Sequence, residues 1–151
     1  WADVVHGHLG GRPPVVDLAY ERQLADVLVR GARRHVLASA HDLADGGLAQ
    51  ALVESCLRQN LGVRVALPDD ADPFVWLFSE STGRVLVSVR EGAQDDLASL
   101  CAEADVPLTR LGEVTGPHDA QLEVVGQFAL PLAQVREAWA ATLPAAMAGH
   151  A

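Results

Sequence analysis

Apolar positions recur along the chain with periods that predict its elements. Leu18, Leu24, Val27 and Leu28 fall on one face at helical spacing, with Asp17 ahead of them as an N-cap and Gly31 behind them as a stop. Val36 to Ala40 reads as a short buried strand that runs directly into the polar stretch His41 to Gly47. A second helix is predicted from about Gly46 to about Arg58. Leu48, Leu52 and Cys56 lie four apart, as do Ala49, Val53 and Leu57, which makes a wide apolar stripe. Leu61-Gly62 closes it. Val63, Val65 and Leu67 then alternate with Arg64 and Ala66, the period of a half-buried strand. After a loop over 68–73, the apolar run Phe74 to Phe78 reads as a buried segment, and Ser79-Glu80-Ser81 as its terminus and turn. Val85, Val87 and Val89 mark a strand. A third helix over about 93–104 buries Leu97, Leu100, Cys101 and Ala104, with Asp95 and Asp96 in its first turn, where the helix dipole favours them. Strands over 108–115 and 122–125 flank Gly116-Pro117-His118-Asp119, which predicts a hairpin. A last helix starts near Pro131, carries Leu132, Val135, Trp139 and Leu143 on its apolar face, and is limited by Pro144.

Helices interleaved with strands in this order predict an α/β (α+β) domain, a mixed β-sheet layered with helices. At 151 residues the chain is long enough for one domain with a real core. That domain is expected over 17–144, with a frayed tail over 145–151. Residues 1–16 hold Gly7, Gly10, Gly11, Pro13 and Pro14, and read as a linker or arm from an upstream domain. The opening Trp1-Ala2-Asp3 has no initiator Met, no basic region and no apolar core of a signal peptide; it reads as a cut inside a longer chain.

Charge narrows the function classes. The net charge is −9, from 20 acids against 11 bases, and every base is arginine. That leaves little with which to build a phosphate-neutralising face, so neither nucleic acid nor an anionic membrane surface is an expected partner. No apolar stretch approaches the ~20 residues of a membrane span. Cys56 and Cys101 lie within apolar helical patterns without Cys-x-x-Cys spacing, and are expected to be free, buried thiols in a reducing cytoplasm.

The densest polar cluster is His41-Asp42-Leu43-Ala44-Asp45-Gly46-Gly47-Leu48, between a strand and a helix start. Paired glycines let backbone approach a ligand, and free N–H groups at the helix start favour an anion. A capped helix start with no ligand is the competing reading of the same residues. His41 and Asp42 are neighbours on an extended segment, so their side chains are expected to point apart rather than converge on one ion. No His-x-x-x-His or Cys/His cluster suggests a transition metal. Ser79-Glu80-Ser81 is either the wall of a site or a plain turn. Gly-x-Ser-x-Gly is absent, which argues against a serine nucleophile, and a chain without lysine has no Walker phosphate loop. Trp1, Trp76 and Trp139 are not interleaved with basic residues, and read as core or interface rather than a base-stacking platform.

These segments together resemble a known family. His41-Asp42-Leu43-Ala44-Asp45-Gly46-Gly47-Leu48-Ala49 is similar to the His-Asp-x-Ser-Asp-Gly-Gly-Leu-Ala segment of the formylglycinamidine ribonucleotide synthases. Leu77 to Arg84 resembles their Leu-Phe-Ser-Glu-Ser-x-x-Arg segment. Pro14-Val15-Val16-Asp17-Leu18 with Glu21, and Leu111-Gly112-Glu113-Val114, resemble two further segments in the same order. Ala44 stands where that family usually has Ser. The resemblance implies the C-terminal α/β domain of the aminoimidazole ribonucleotide synthetase superfamily, in its second tandem copy. It further implies an ATP-dependent amidation that uses glutamine-derived ammonia in purine biosynthesis. ATP and Mg2+ would serve the parent enzyme, with none required by this chain alone. Upstream synthetase domains and a glutaminase subunit or domain would be the partners. By the same resemblance, His41, Asp42, Asp45, Gly46, Gly47, Leu48, Glu80 and Ser81 would form a phosphate- or nucleotide-binding wall, with no catalytic residue and no metal ligand among them. The glycine loop would face either the reaction or the pseudo-symmetric site. The rival readings are another member of the superfamily, or a stand-alone phosphate-binding or structural module.

Overall fold

The computed structural model describes residues 5–8, 10, 13–118 and 120–149. Trp1, Gly11 and Asp119, on which parts of the expected arm, interface and hairpin turn rest, lie outside the described residues. In chain order the elements are α1 (Leu18–Arg33), β1 (Leu37–Asp42), α2 (Gly47–Gln59), β2 (Gly62–Val65), α3 (Pro73–Phe78), β3 (Val85–Val89), α4 (Gln94–Glu103), β4 (Gly112–Thr115), β5 (Gln121–Val124), β6 (Phe128–Pro131) and α5 (Leu132–Ala148). The mixed α/β class read from the sequence is the one observed. Among the described residues no helix is long and apolar enough to cross a membrane.

The chain divides into two compact units, 1–51 with 74–109, and 52–73 with 110–151. In the first, β1 and β3 pair antiparallel, from Leu37↔Val89 to Asp42↔Val85, with a register shift between Leu37 and Ser39. Its core is Val27 of α1, Val36, Val106, and Leu97, Leu100 and Cys101 of α4, with Leu24, Val87 and Val89 packed against it. α1 begins as expected: the Asp17 carboxylate accepts hydrogen bonds from the N–H groups of Ala19 and Tyr20 at 2.9 and 3.1 Å. Gly31 is no stop. It is buried inside α1, and the helix ends at Arg33, with His35 at φ +58° turning the chain toward β1. Leu18, placed on the apolar face, is 78% exposed. β1 is not a buried strand either: it belongs to a two-stranded sheet, and Ala38, Ser39 and Ala40 are exposed on successive, opposite faces of it.

In the second unit the sheet order is β4-β2-β5-β6. β2 is antiparallel to β4 (Val65↔Gly112) and parallel to β5 (Val65↔Val124). The expected hairpin between β4 and β5 therefore does not form, because β2 lies between them. The hairpin is instead β5–β6, turning at Gly126 with φ +76°, and β6 is a strand the periodicity does not reveal. Val65, Leu122, Val124 and Leu132 are buried. α5 starts after Pro131 and runs through Pro144 to Ala148, so 145–148 is helix rather than frayed tail. A proline removes one helical hydrogen bond without forbidding the next turn. The Arg136 guanidinium anchors the early turns, donating to the Leu57 carbonyl at 2.9 Å. Beyond it the predicted apolar face is open: Trp139 is 60% and Leu143 74% exposed. Cys56 and Cys101 are free and buried, as expected.

Candidate functional site

The polar cluster forms where β1 leaves its sheet. Pairing of Asp42 with Val85 is continued by a hydrogen bond from the Leu43 N–H to the Arg84 carbonyl at 3.3 Å. This lays the segment 41–48 beside 79–84. The run Phe74 to Phe78, expected to precede a strand-like terminus, is a short helix; the Ser79 N–H closes its last turn on the Val75 carbonyl at 2.9 Å. Ser79-Glu80-Ser81 thus leaves a helix end and faces a helix start.

Glu80 joins the two segments. Its Oε1 accepts the Gly46 N–H at 2.8 Å. A capping-box glutamate satisfies such a donor from three residues along its own helix; here the carboxylate comes from 34 positions away. A negative charge at that place also suits the positive end of the α2 dipole. The Gly47 N–H turns back to the Ala44 carbonyl at 3.3 Å. Gly46 and Gly47 both have positive φ, +80° and +64°, a conformation that side chains disfavour. Gly47 has a second reason to be glycine. A Cβ there would sit 2.8 Å from the Leu77 carbonyl oxygen and 2.9 Å from that of Ser79. The glycine pair thus serves close approach, but to the chain's own backbone at the end of α3.

The remaining residues line the rim. The His41 Nδ1 donates to the Asp42 carbonyl at 2.7 Å, a bond that needs a proton on Nδ1, and lies 3.5 Å from the Asp42 carboxylate. Side chains expected to point apart are therefore in contact, because the imidazole folds over its own following peptide. Asp42 and Asp45 are exposed, and the Leu48 side chain is buried, 2% exposed, so that only its backbone can contribute to the rim. Ser81 Oγ meets Ser79 Oγ at 2.8 Å, a bond that braces the turn. Among the described residues no group of three His, Cys, Asp or Glu side chains could hold a metal ion. The structure thus brings Gly46, Gly47, Glu80 and Ser81 into one junction, with His41, Asp42 and Asp45 in the segment beside it.

Two residues of the junction, Arg84 and Trp76, were named in the sequence but not among the expected site residues. Arg84 donates from Nη1 to the Ser79 carbonyl at 3.2 Å and from Nη2 to the Trp76 carbonyl at 3.4 Å. Its guanidinium carbon lies 5.4 Å from the centroid of the Trp76 ring. The available signal was an arginine shortly after an apolar run, the position from which it can cap helix C-terminal carbonyls.

The sequence matches the family "AIR synthase related protein, C-terminal domain" over residues 1–125. The chain belongs to that family. Its similarity to curated proteins extends further along this AIR synthase-related chain. It is 53% identical over 144 residues to the phosphoribosylformylglycinamidine synthase subunit PurL of Parafrankia sp., covering 95% of this chain and 19% of that protein. Against the PurL subunit of Nocardioides sp. it is 57% identical over 147 residues, 97% of this chain and 19% of that one. The chain therefore spans about a fifth of the length of the curated relatives it matches. The fold is shared with solved structures. Phosphoribosylformylglycinamidine synthase II of Thermotoga maritima superposes with a TM-score of 0.70 at 20% identity, over 81% of this chain and 22% of that one. T. maritima PurL complexed with FGAR gives 0.72 at 18%, over 89% and 24%.

Proposed function

We propose that this AIR synthase-related chain works as the C-terminal domain of a PurL-type synthase. The parent reaction is the ATP-dependent amidation of formylglycinamide ribonucleotide in purine biosynthesis, with ammonia drawn from glutamine. The observation that carries this reading is identity of 53% along 95% of the chain to a PurL subunit. The partners are the upstream synthetase domains and a glutaminase domain or subunit, and the setting is the cytoplasm, which suits the free thiols of Cys56 and Cys101.

The chain's own share is a phosphate- or nucleotide-facing wall made of His41, Asp42, Asp45, Gly46, Gly47, Leu48, Glu80 and Ser81. Glu80 already takes the Gly46 N–H, and Asp42 and Asp45 add negative charge beside it. A bare phosphate is therefore repelled here. The wall works with a nucleotide whose charge is neutralised by the rest of the synthase, so ATP and any Mg2+ belong there.

The test is a chimera in which this chain replaces the matching 144 residues of the Parafrankia PurL subunit. With ATP, an ammonia source and the ribonucleotide, the chimera should make the amidine, and the isolated chain should not. A folded chimera without turnover, or turnover by the isolated chain, would contradict the reading.

A further inference from the structure

Four ties converge on the six residues between the end of α3 and the start of β3. Glu80 holds the Gly46 N–H at 2.8 Å. The Thr82 hydroxyl donates to the Val15 carbonyl at 3.0 Å, fastening the segment to the residues ahead of α1. Ser79 and Ser81 share a hydroxyl bond at 2.8 Å. Arg84 spans the turn from behind, with one nitrogen on the first residue of the turn and the other on the last turn of α3. Arg84 is the side chain among these that reaches back to the helix before the turn, beside the Ser79 N–H bonded to the Val75 carbonyl.

We infer that Arg84 is the positioning residue of this junction: its guanidinium, seated over Trp76 and forked across the Trp76 and Ser79 carbonyls, sets the Ser79–Ser81 turn so that the Glu80 carboxylate reaches the Gly46 amide. The helix-end carbonyls carry partial negative charge and have no helical donors of their own, so a cation with two separated N–H groups satisfies both at once. The guanidinium carbon lies over the indole at 5.4 Å from its centroid, a cation–π placement that restricts the side chain. Burial also lowers the guanidinium pKa from its ordinary value. The group thus gives up some hydration to stay where it is. Lysine could supply the charge but not the fork. The inference rests on the proposal that this junction is the domain's working surface, but its test does not.

The experiment is pH titration of the amide signals of the 15N-labelled chain, in the natural sequence and in Arg84→Met, Arg84→Lys and Glu80→Gln. In the natural chain the Gly46 amide should shift as Glu80 ionises, because a carboxylate draws the proton more strongly than a carboxylic acid does. The Ala19 amide should follow Asp17 in the same way, and serves as a folding control within the same unit. In Arg84→Met, which keeps an apolar stem against Trp76, the Gly46 response should fall by at least half. Its exchange with solvent should quicken about tenfold, the equivalent of one ordinary hydrogen bond, while Ala19 is unchanged. Arg84→Lys should resemble Arg84→Met rather than the natural chain, and decides the matter if the Met variant does not fold. Glu80→Gln should abolish the Gly46 response and leave Ala19 alone. A Gly46 response that survives in both folded Arg84 variants would overturn the inference. A parallel addition of millimolar ADP separates the two claims. Amides 45–48 that ignore ADP, in the isolated chain and in the chimera, count against the nucleotide-facing wall. The pH response decides Arg84 either way.

Discussion

α1 and α2 begin with the same physical problem and solve it by opposite means. Each has N–H groups at its start that no helical carbonyl accepts. In α1 the acceptor is Asp17, immediately before the helix, serving Ala19 and Tyr20. In α2 it is Glu80, brought from another part of the chain to the Gly46 amide. The first solution is local and survives in any context that keeps the helix. The second exists only when α3, the 79–84 segment and the β1–β3 pairing are all in place. A local cap holds one helix, whereas a remote cap also joins the two motif segments into one junction. That difference explains why α2 begins with two glycines and α1 needs none at its start.

The sharpest way to break the contrast is Gly47→Val. It forces a branched Cβ against the Leu77 and Ser79 carbonyls and keeps φ at +64°. A loss of about 3 kcal/mol is expected, read from urea unfolding. Gly46→Ala is milder, because its Cβ would press on one neighbour, the Gln50 Cβ at 2.7 Å, and not on a group of backbone atoms. About 1–2 kcal/mol is expected there, from φ and from the shift Gln50 must make. Equal losses at the two positions would show that backbone conformation, not the close approach to α3, demands glycine at 47.

The two caps come next. Asp17→Ala and Glu80→Ala should each cost about 1 kcal/mol, the usual worth of a cap. They should differ in reach. Hydrogen exchange in Asp17→Ala should quicken in the first turn of α1 alone. In Glu80→Ala it should quicken at both 44–48 and 79–81. Exchange confined to 44–48 would reduce Glu80 to an ordinary cap.

These contrasts also explain what could be read from the sequence. The Asp17 cap, the strand marked by Val85, Val87 and Val89, and the buried face of Leu97, Leu100 and Cys101 each depend on neighbours in the chain, and all appear in the structure, although β3 is evenly half-buried rather than alternating. The order β4-β2-β5-β6 depends on which distant strand β5 selects, and no local pattern encodes it. The turn after β4 looked like a hairpin because proline and glycine mark a reversal without naming the partner. The two motif segments were legible as motifs, but not the bond between them. The glycines suggested a close approach, and the approaching group proved to be the backbone of 77–79 rather than a ligand. The apolar period of α5 continued past Arg136, yet Trp139 and Leu143 are exposed, since periodicity shows that a face is apolar and not what covers it.

The smallest effect concerns the helix body that follows the remote cap. Burial pushes the Cys56 thiol up to about 11. The unfolded thiol ionises at its ordinary, lower value, so between the two the unfolded chain binds fewer protons than the folded one. Stability should therefore be full below the ordinary thiol range and fall as pH rises toward 11. Iodoacetamide with mass spectrometry in mildly alkaline buffer should leave Cys56 largely unmodified in the native chain and label it once urea is added. Rapid labelling without urea would mean that α2 opens more readily than its burial implies.

The central claim is that Glu80 holds the start of α2, so that the two motif segments form one junction. Its most direct test is the scalar coupling transmitted across a hydrogen bond, measured by NMR on the 13C,15N-labelled chain near neutral pH. The account predicts a coupling from the Gly46 nitrogen to the side-chain carboxyl carbon of Glu80, alongside one from the Ala19 nitrogen to the carboxyl carbon of Asp17. A clear Ala19–Asp17 coupling with none between Gly46 and Glu80, and a Gly46 amide that exchanges as fast as an open loop, would contradict it.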